Sequence, residues 1–210
     1  GPTAVINSSL AGVFKTAKDR GANKVYGMLH GIQGLLQERY VDLEDHIKND
    51  LDIELLKRTP SAYLGSCRFK LPDISQDREI YDKIFDILNK LEIEYFFYIG
   101  GNDSMDTALK LSQYAASIGS DVRVIGVPKT IDNDLCLTDH TPGFGSAAKY
   151  IASTILEIAH DTFSYPVPSV TIVEIMGRDA GWLTSASALA RNEYNTAPHV
   201  IYLPKAPFDT

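Results

Sequence analysis

Short apolar runs that alternate with amphipathic helical patterns constrain this chain more than any other feature. KVYGML, EYFFYI, VRVIGV, SVTIVEI and HVIYLP are brief and almost continuously apolar, the pattern of strands buried on both faces. Between them lie helical faces. Ser8 to Arg20 carries Leu10, Val13, Phe14 and Ala17 before the stop signal Gly21, and Arg78 to Leu91 carries Ile80, Ile84, Ile87, Leu88 and Leu91. Met105, Ala108, Leu109, Ser112 and Ala116 continue the rhythm up to Gly119. Ala148, Ile151, Ile155, Ile158 and Ala159 form the apolar side of Ser146 to Phe163, and a last helix is expected from about Gly181 to Leu189. Strands alternating with helices require right-handed crossovers, so the predicted fold is a doubly wound α/β domain, its mostly parallel sheet covered by helices on both faces. Charged residues from Tyr40 to Pro72 interrupt the rhythm, and short helices and loops, a flap or an insertion, are expected there.

A chain of 210 residues with 44% hydrophobic composition can bury a sizeable core, and its length fits one domain spanning residues 1 to 210. The 20 Lys+Arg against 27 Asp+Glu give a formal charge of −7, which argues against sequence-independent binding to nucleic acid or to anionic membranes. A local basic pocket for a small phosphorylated molecule is compatible with that balance. The two cysteines, Cys67 and Cys136, show no metal-ligand spacing and read as ordinary small buried side chains. With no secretory or membrane-spanning pattern, a reduced cytoplasmic setting is expected. GPTAVIN and IYLPKAPFDT at the two termini read as a domain incomplete at both ends.

In open parallel sheets ligands gather beyond the carboxyl ends of the strands. Three loops follow predicted strands: GGNDS after Ile99, PKTIDND after Val127 and MGRDAG after Ile175. They are expected to bring Asp103, Lys129, Asp132, Asp134 and Arg178 into one cleft. Gly100 and Gly101 would let backbone N–H groups approach a phosphate at a helix N-terminus. The bland alternative is a tight strand-to-helix connection capped by Ser104 or Asp103. Asn102 and Asp103 have the hard oxygens for a hydrated Mg²⁺. Asp132 and Asp134 can divide duties, one accepting the proton of an attacking hydroxyl and the other orienting it; the alternative is an Asx-turn with solvated acids. Lys129 and Arg178 read either as phosphate-seeking cations or as surface groups.

Taken together, GSCRF, GGNDS, PKTIDNDL, TPGFGSA and EIMGRDAGWL resemble, in order and spacing, the phosphofructokinase family, and GPTAVIN resembles the tail of its first glycine loop. The resemblance covers essentially the whole chain. It implies phosphorylation of fructose 6-phosphate at its 1-hydroxyl with Mg²⁺, a homo-oligomeric enzyme, and a second substrate domain absent from this chain, without which the piece by itself is expected to turn over nothing. It further implies that Asp132 is the catalytic base and Asp134 the second acid, with Thr130 gripping the transferred phosphoryl group. Met176, Gly177 and Arg178 would bind the sugar phosphate, Arg178 also stabilising transferred charge. Gly1, Arg68, Gly101, Asn102, Asp103 and Ser104 would line the donor side.

The same resemblance bears on the donor. ATP-dependent members usually read GGDGS, whereas this chain has Asp103 at the second glycine's place and Lys129 ahead of TIDND. An aspartate there occupies the room of an α-phosphate and repels it; two unit charges about 4 Å apart in a partly screened site cost about 4 kcal/mol. Pyrophosphate has no α-phosphate, and Lys129 can meet a small donor as a point charge. The pair resembles pyrophosphate-dependent members, which implies a readily reversible reaction. ATP as donor, or a regulatory or binding subunit without turnover, are the alternatives. Two departures stand out: Asn102 replaces the usual metal-binding aspartate, and Ser169 stands where many members carry an arginine for the substrate phosphate.

Overall fold

A computed structural model describes residues 3 to 207. The chain divides into two compact units, Gly1–Lys129 and Thr130–Thr210.

In the first unit, helix α1 (Ala4–Asp19) is followed by strand β1 (Tyr26–Met28), helix α2 (Gly31–Leu36) and strand β2 (Tyr40–Asp42). A 3-10 turn (Leu43–Asp45) leads into α3 (Asp50–Arg58), and α4 (Arg78–Lys90), β3 (Tyr95–Gly100), α5 (Asn102–Ser117) and β4 (Arg123–Pro128) complete the unit. Helix α1 begins earlier than the expected Ser8. β1 and β2 pair antiparallel, so the interrupting segment contributes a strand as well as the short helices expected of it. Helix α3 forms because Asn49 and Asp52 make a capping box: the Asn49 side chain accepts from the Asp52 N–H at 3.1 Å and the Asp52 carboxylate accepts from the Asn49 N–H at 3.2 Å.

β3 and β4 pair in parallel from Tyr95↔Arg123 to Gly100↔Pro128, with α5 as the crossover between them. Asp77 caps α4 by accepting from the Ile80 N–H at 3.2 Å. The predicted apolar face of α4 is buried: Ile84 and Leu88 are fully enclosed, joined by Tyr81, Phe85 and Ile87. They pack with Phe96 of β3 and with Leu111, Tyr114 and Ala115 of α5 in the main core. Burying each large side chain is worth about 1.5–3 kcal/mol, which fixes the strand pair and the helix that follows β3. A second cluster joins Leu10, Ala11 and Phe14 of α1 to Ile53 and Leu56 of α3, with Ile99 packed against it.

In the second unit, α6 (Phe144–Phe163) packs on α7 (Trp182–Ala186) and on the 3-10 turn (Ser187–Ala190) that continues it. The helix expected to Leu189 therefore tightens after its first turns. SVTIVEI and HVIYLP, expected as strands, have no ladder among the described residues, and Val170 and Ile172 are each 90% exposed. A β-run becomes a strand only when a neighbouring backbone pairs with it, and no described segment does so here. The cysteines also differ from expectation: Cys136 is exposed, because it lies in an irregular loop, and Cys67 is only half-buried.

Candidate active site

The phosphate-type turn is built by β3 and α5. The helix starts one residue after Gly101, whose carbonyl accepts from the N–H groups of Ser104 and Met105, each at 3.0 Å. Gly101 is itself the N-cap, and no described side chain caps the helix, so the expected cap from Ser104 or Asp103 is not made. Both lie inside the first turn, past the N-cap position that Gly101 takes. Gly100 is required by contact, since a Cβ there would sit 2.0 Å from Ser104 Oγ. Asp103 is exposed in that first turn, where its charge suits the helix dipole. A bound anion and Asp103 therefore compete for the same positive end.

Lys129 follows β4 at the same end of the strand pair as this turn, with its N–H donating to the Gly100 carbonyl at 2.9 Å. It is only 5% exposed, unusual for a lysine and incompatible with the surface-amine reading. Arg68 is exposed in an irregular stretch and forms no ion pair with a described acid. Gly1 lies outside the described residues.

The acids belong to the second unit. Thr130 Oγ1 accepts from the Asp132 N–H at 3.1 Å, which makes the turn that presents Asp132. The Thr130 N–H donates to the Pro142 carbonyl at 3.1 Å, and Thr141 Oγ1 donates to the Thr130 carbonyl at 2.6 Å. Asp132 is half-buried, and Asp134 has a side chain 22% exposed, so the solvated-acid reading fails for this pair. Asp134 Oδ2 lies 3.7 Å from Arg178 Nη2, an ion pair rather than a hydrogen bond. Its Oδ1 is buried without a partner among the described residues. An unsatisfied buried oxygen of this kind costs about 1–3 kcal/mol and marks a place for a donor, a cation or an ordered water.

Arg178 has φ +50° and follows the buried Gly177 at φ +144°, a backbone value open to glycine alone. The Ala180 N–H donates to the Gly177 carbonyl at 3.0 Å and closes that turn, leaving Met176 and Arg178 exposed. Asp134 also borders a cleft of about 610 Å³ with Asp139, His140, Phe144 and Trp182. His140 and Trp182 were invisible to sequence reasoning, because neither sits at a fixed offset from a strand end. Asn133 was passed over as part of a turn, yet it is buried at 7% exposure, with φ +55° and both ends of its amide in use.

Among the described residues no three His, Cys, Asp or Glu side chains gather into an all-protein metal centre. Hard oxygens at Asn102 and Asp103 fit the way Mg²⁺ is ordinarily held, by one or two protein ligands with phosphate and water completing the shell. The first unit thus offers backbone N–H groups, an acid and a buried lysine at the ends of two parallel strands. Carboxylates and a guanidinium suited to proton and charge handling lie in the second.

Comparison with known proteins places the chain in a family. The phosphofructokinase family profile matches residues 1–210. A pyrophosphate–fructose 6-phosphate 1-phosphotransferase of Rhodospirillum rubrum is 46% identical over 210 residues, covering 100% of this chain and 50% of that protein. The crystal structure of a pyrophosphate-dependent phosphofructokinase from Marinobacter aquaeolei superposes with a TM-score of 0.87 at 44% identity, covering 100% of this chain and 52% of that one. An ATP-dependent 6-phosphofructokinase of Mycobacterium bovis is 33% identical over 204 residues, covering 97% of this chain and 54% of that protein. The chain spans about half the length of the curated relatives it matches. Over its whole length, this α/β chain belongs to the phosphofructokinase family.

Proposed function

We propose that the full-length protein carrying this chain transfers a phosphoryl group reversibly between pyrophosphate and the 1-hydroxyl of fructose 6-phosphate. The observation that carries this reading is Asp103 in the first turn of the uncapped helix α5, at the same end of the strand pair as the buried Lys129. A negative charge at that helix start penalises a donor with an α-phosphate more than a two-phosphate donor. The higher identity to the Rhodospirillum rubrum relative than to the ATP-dependent one supports the same choice.

In the forward direction Asp132 accepts the proton of the sugar 1-hydroxyl, the new O–P bond forms and the P–O–P bridge breaks, with inorganic phosphate leaving. Thr130 steadies the moving phosphoryl group, and Arg178 offsets its charge. Asp134 restrains Arg178 through their 3.7 Å pair. Met176, Gly177 and Arg178 bind the sugar phosphate; Gly1, Arg68, Gly101 and Ser104 hold the donor with Lys129. Asn102 and Asp103 would hold Mg²⁺, which when bound draws charge from the donor oxygens. The enzyme works as a homo-oligomer in the cytoplasm. Steady-state turnover of fructose 6-phosphate by the full-length protein, with Mg²⁺ and either pyrophosphate or ATP, tests the reading. Turnover with pyrophosphate is expected; turnover with ATP alone would assign the donor the other way.

A further inference from the structure

We infer that Asn133, between the two acids, is a positioning residue that sets the orientation of Asp132; this rests on the function just proposed. Its side chain staples together the loop of residues 129–143 that joins β4 to α6. Nδ2 donates to the Asp139 carbonyl at 2.9 Å, and Oδ1 accepts from the Thr141 N–H at 2.8 Å. The residue is 7% exposed and held at φ +55°, a left-handed conformation that asparagine tolerates better than most residues. Asn133 is buried, and the acids on either side of it are half-buried.

Around this staple three further bonds fix the neighbouring backbone. The Thr130 N–H donates to the Pro142 carbonyl, Thr141 Oγ1 donates to the Thr130 carbonyl, and the Asp132 N–H donates to Thr130 Oγ1. The two ends of this loop also meet in a parallel bridge between Thr130 and Gly143. One of these bonds is made by the Asp132 N–H and none by its carboxylate, so releasing Asn133 is expected to let the carboxylate drift. A general base must lie within hydrogen-bond reach of its proton, and small misplacements cost rate steeply.

Asn133→Gly removes the staple while accepting the left-handed backbone, so the fold is expected to survive, with circular dichroism and the thermal midpoint as controls. In the full-length protein the variant is expected to lower kcat about 10-fold or more, with KM for pyrophosphate changed by less than about twofold. In an Asp132→Ala background the same change is expected to lower kcat by less than about twofold, because a residue acting through Asp132 has nothing left to position. Thr141→Val, which deletes the bond to the Thr130 carbonyl, is expected to lower kcat, and Thr141→Ser to keep it. Wild-type turnover retained in folded Asn133→Gly overturns the inference alone, as does an equal loss with and without Asp132. Absence of turnover in the unmutated protein with either donor overturns the proposed function and this inference together.

Discussion

Asp103 is asked to do two things that pull against each other. Its charge stabilises the start of α5 by about 0.3–1 kcal/mol, and on the proposed function it burdens any donor whose phosphate chain extends past the second phosphate. Asp103→Gly combined with Lys129→Gly is therefore expected to raise KM for pyrophosphate and to admit ATP. It should also lower stability by about 1 kcal/mol through the glycine in the first helical turn. Parallel donor assays and denaturant melts separate the two effects; an unchanged donor ratio in a folded variant overturns the charge argument. Asp132 carries a simpler expectation. Asp132→Ala lowers kcat about 100-fold or more with the melt unchanged, and near-normal turnover removes it from the role of base.

The parallel pair of β3 and β4 is the element on which the donor side rests, and its ionisation behaviour is testable. Burial pushes the Tyr98 phenol of β3 above its ordinary value of 10.0, and the nearby Cys67 adds to the shift. A raised folded value means that the stability from neutral Tyr98 is fully present below about pH 10 and is lost as the pH climbs beyond it. Tyr98→Phe is expected to reduce the loss of stability between about pH 9 and 11, measured as denaturant midpoints; an alkaline limb identical to wild type overturns it. Elements such as β3 and β4 were legible in advance because aromatic and β-branched runs flanked by glycine leave little choice of backbone. SVTIVEI looked the same on paper but has no paired neighbour among the described residues, and pairing is a property of two segments, never of one. Tyr40–Asp42 was hidden for the opposite reason: a three-residue strand bearing a charge has no pattern of its own and exists because β1 lies beside it. The candidate residues after the strand ends, Asp103, Lys129 and the DND acids, could be placed from offset alone. The Asn133 staple could not, because its partners lie six and eight residues on in the same irregular loop, whose path no periodicity sets.

Across the whole chain, apolar surface is distributed unevenly. Tyr165, Val170, Ile172, Leu189, Tyr194 and Val200 are all exposed in the second unit, while the main core lies in the first. Stability is consequently expected to differ between the two stretches of chain, and ligand effects to be read most cleanly through the first. There α5 begins on a glycine with no side chain to close its leading turn. A donor that binds those N–H groups completes the helix as well as occupying a site, so occupancy becomes a folding term: a ligand at about 100 times its Kd adds about 2.7 kcal/mol to the state that holds it. Pyrophosphate is expected to raise the thermal midpoint of the chain and to slow hydrogen exchange in the first turn of α5 more than in α4; equal protection of the two helices overturns this. On the proposed function, the helix is one that its own sequence leaves open by a turn and that its phosphate donor closes.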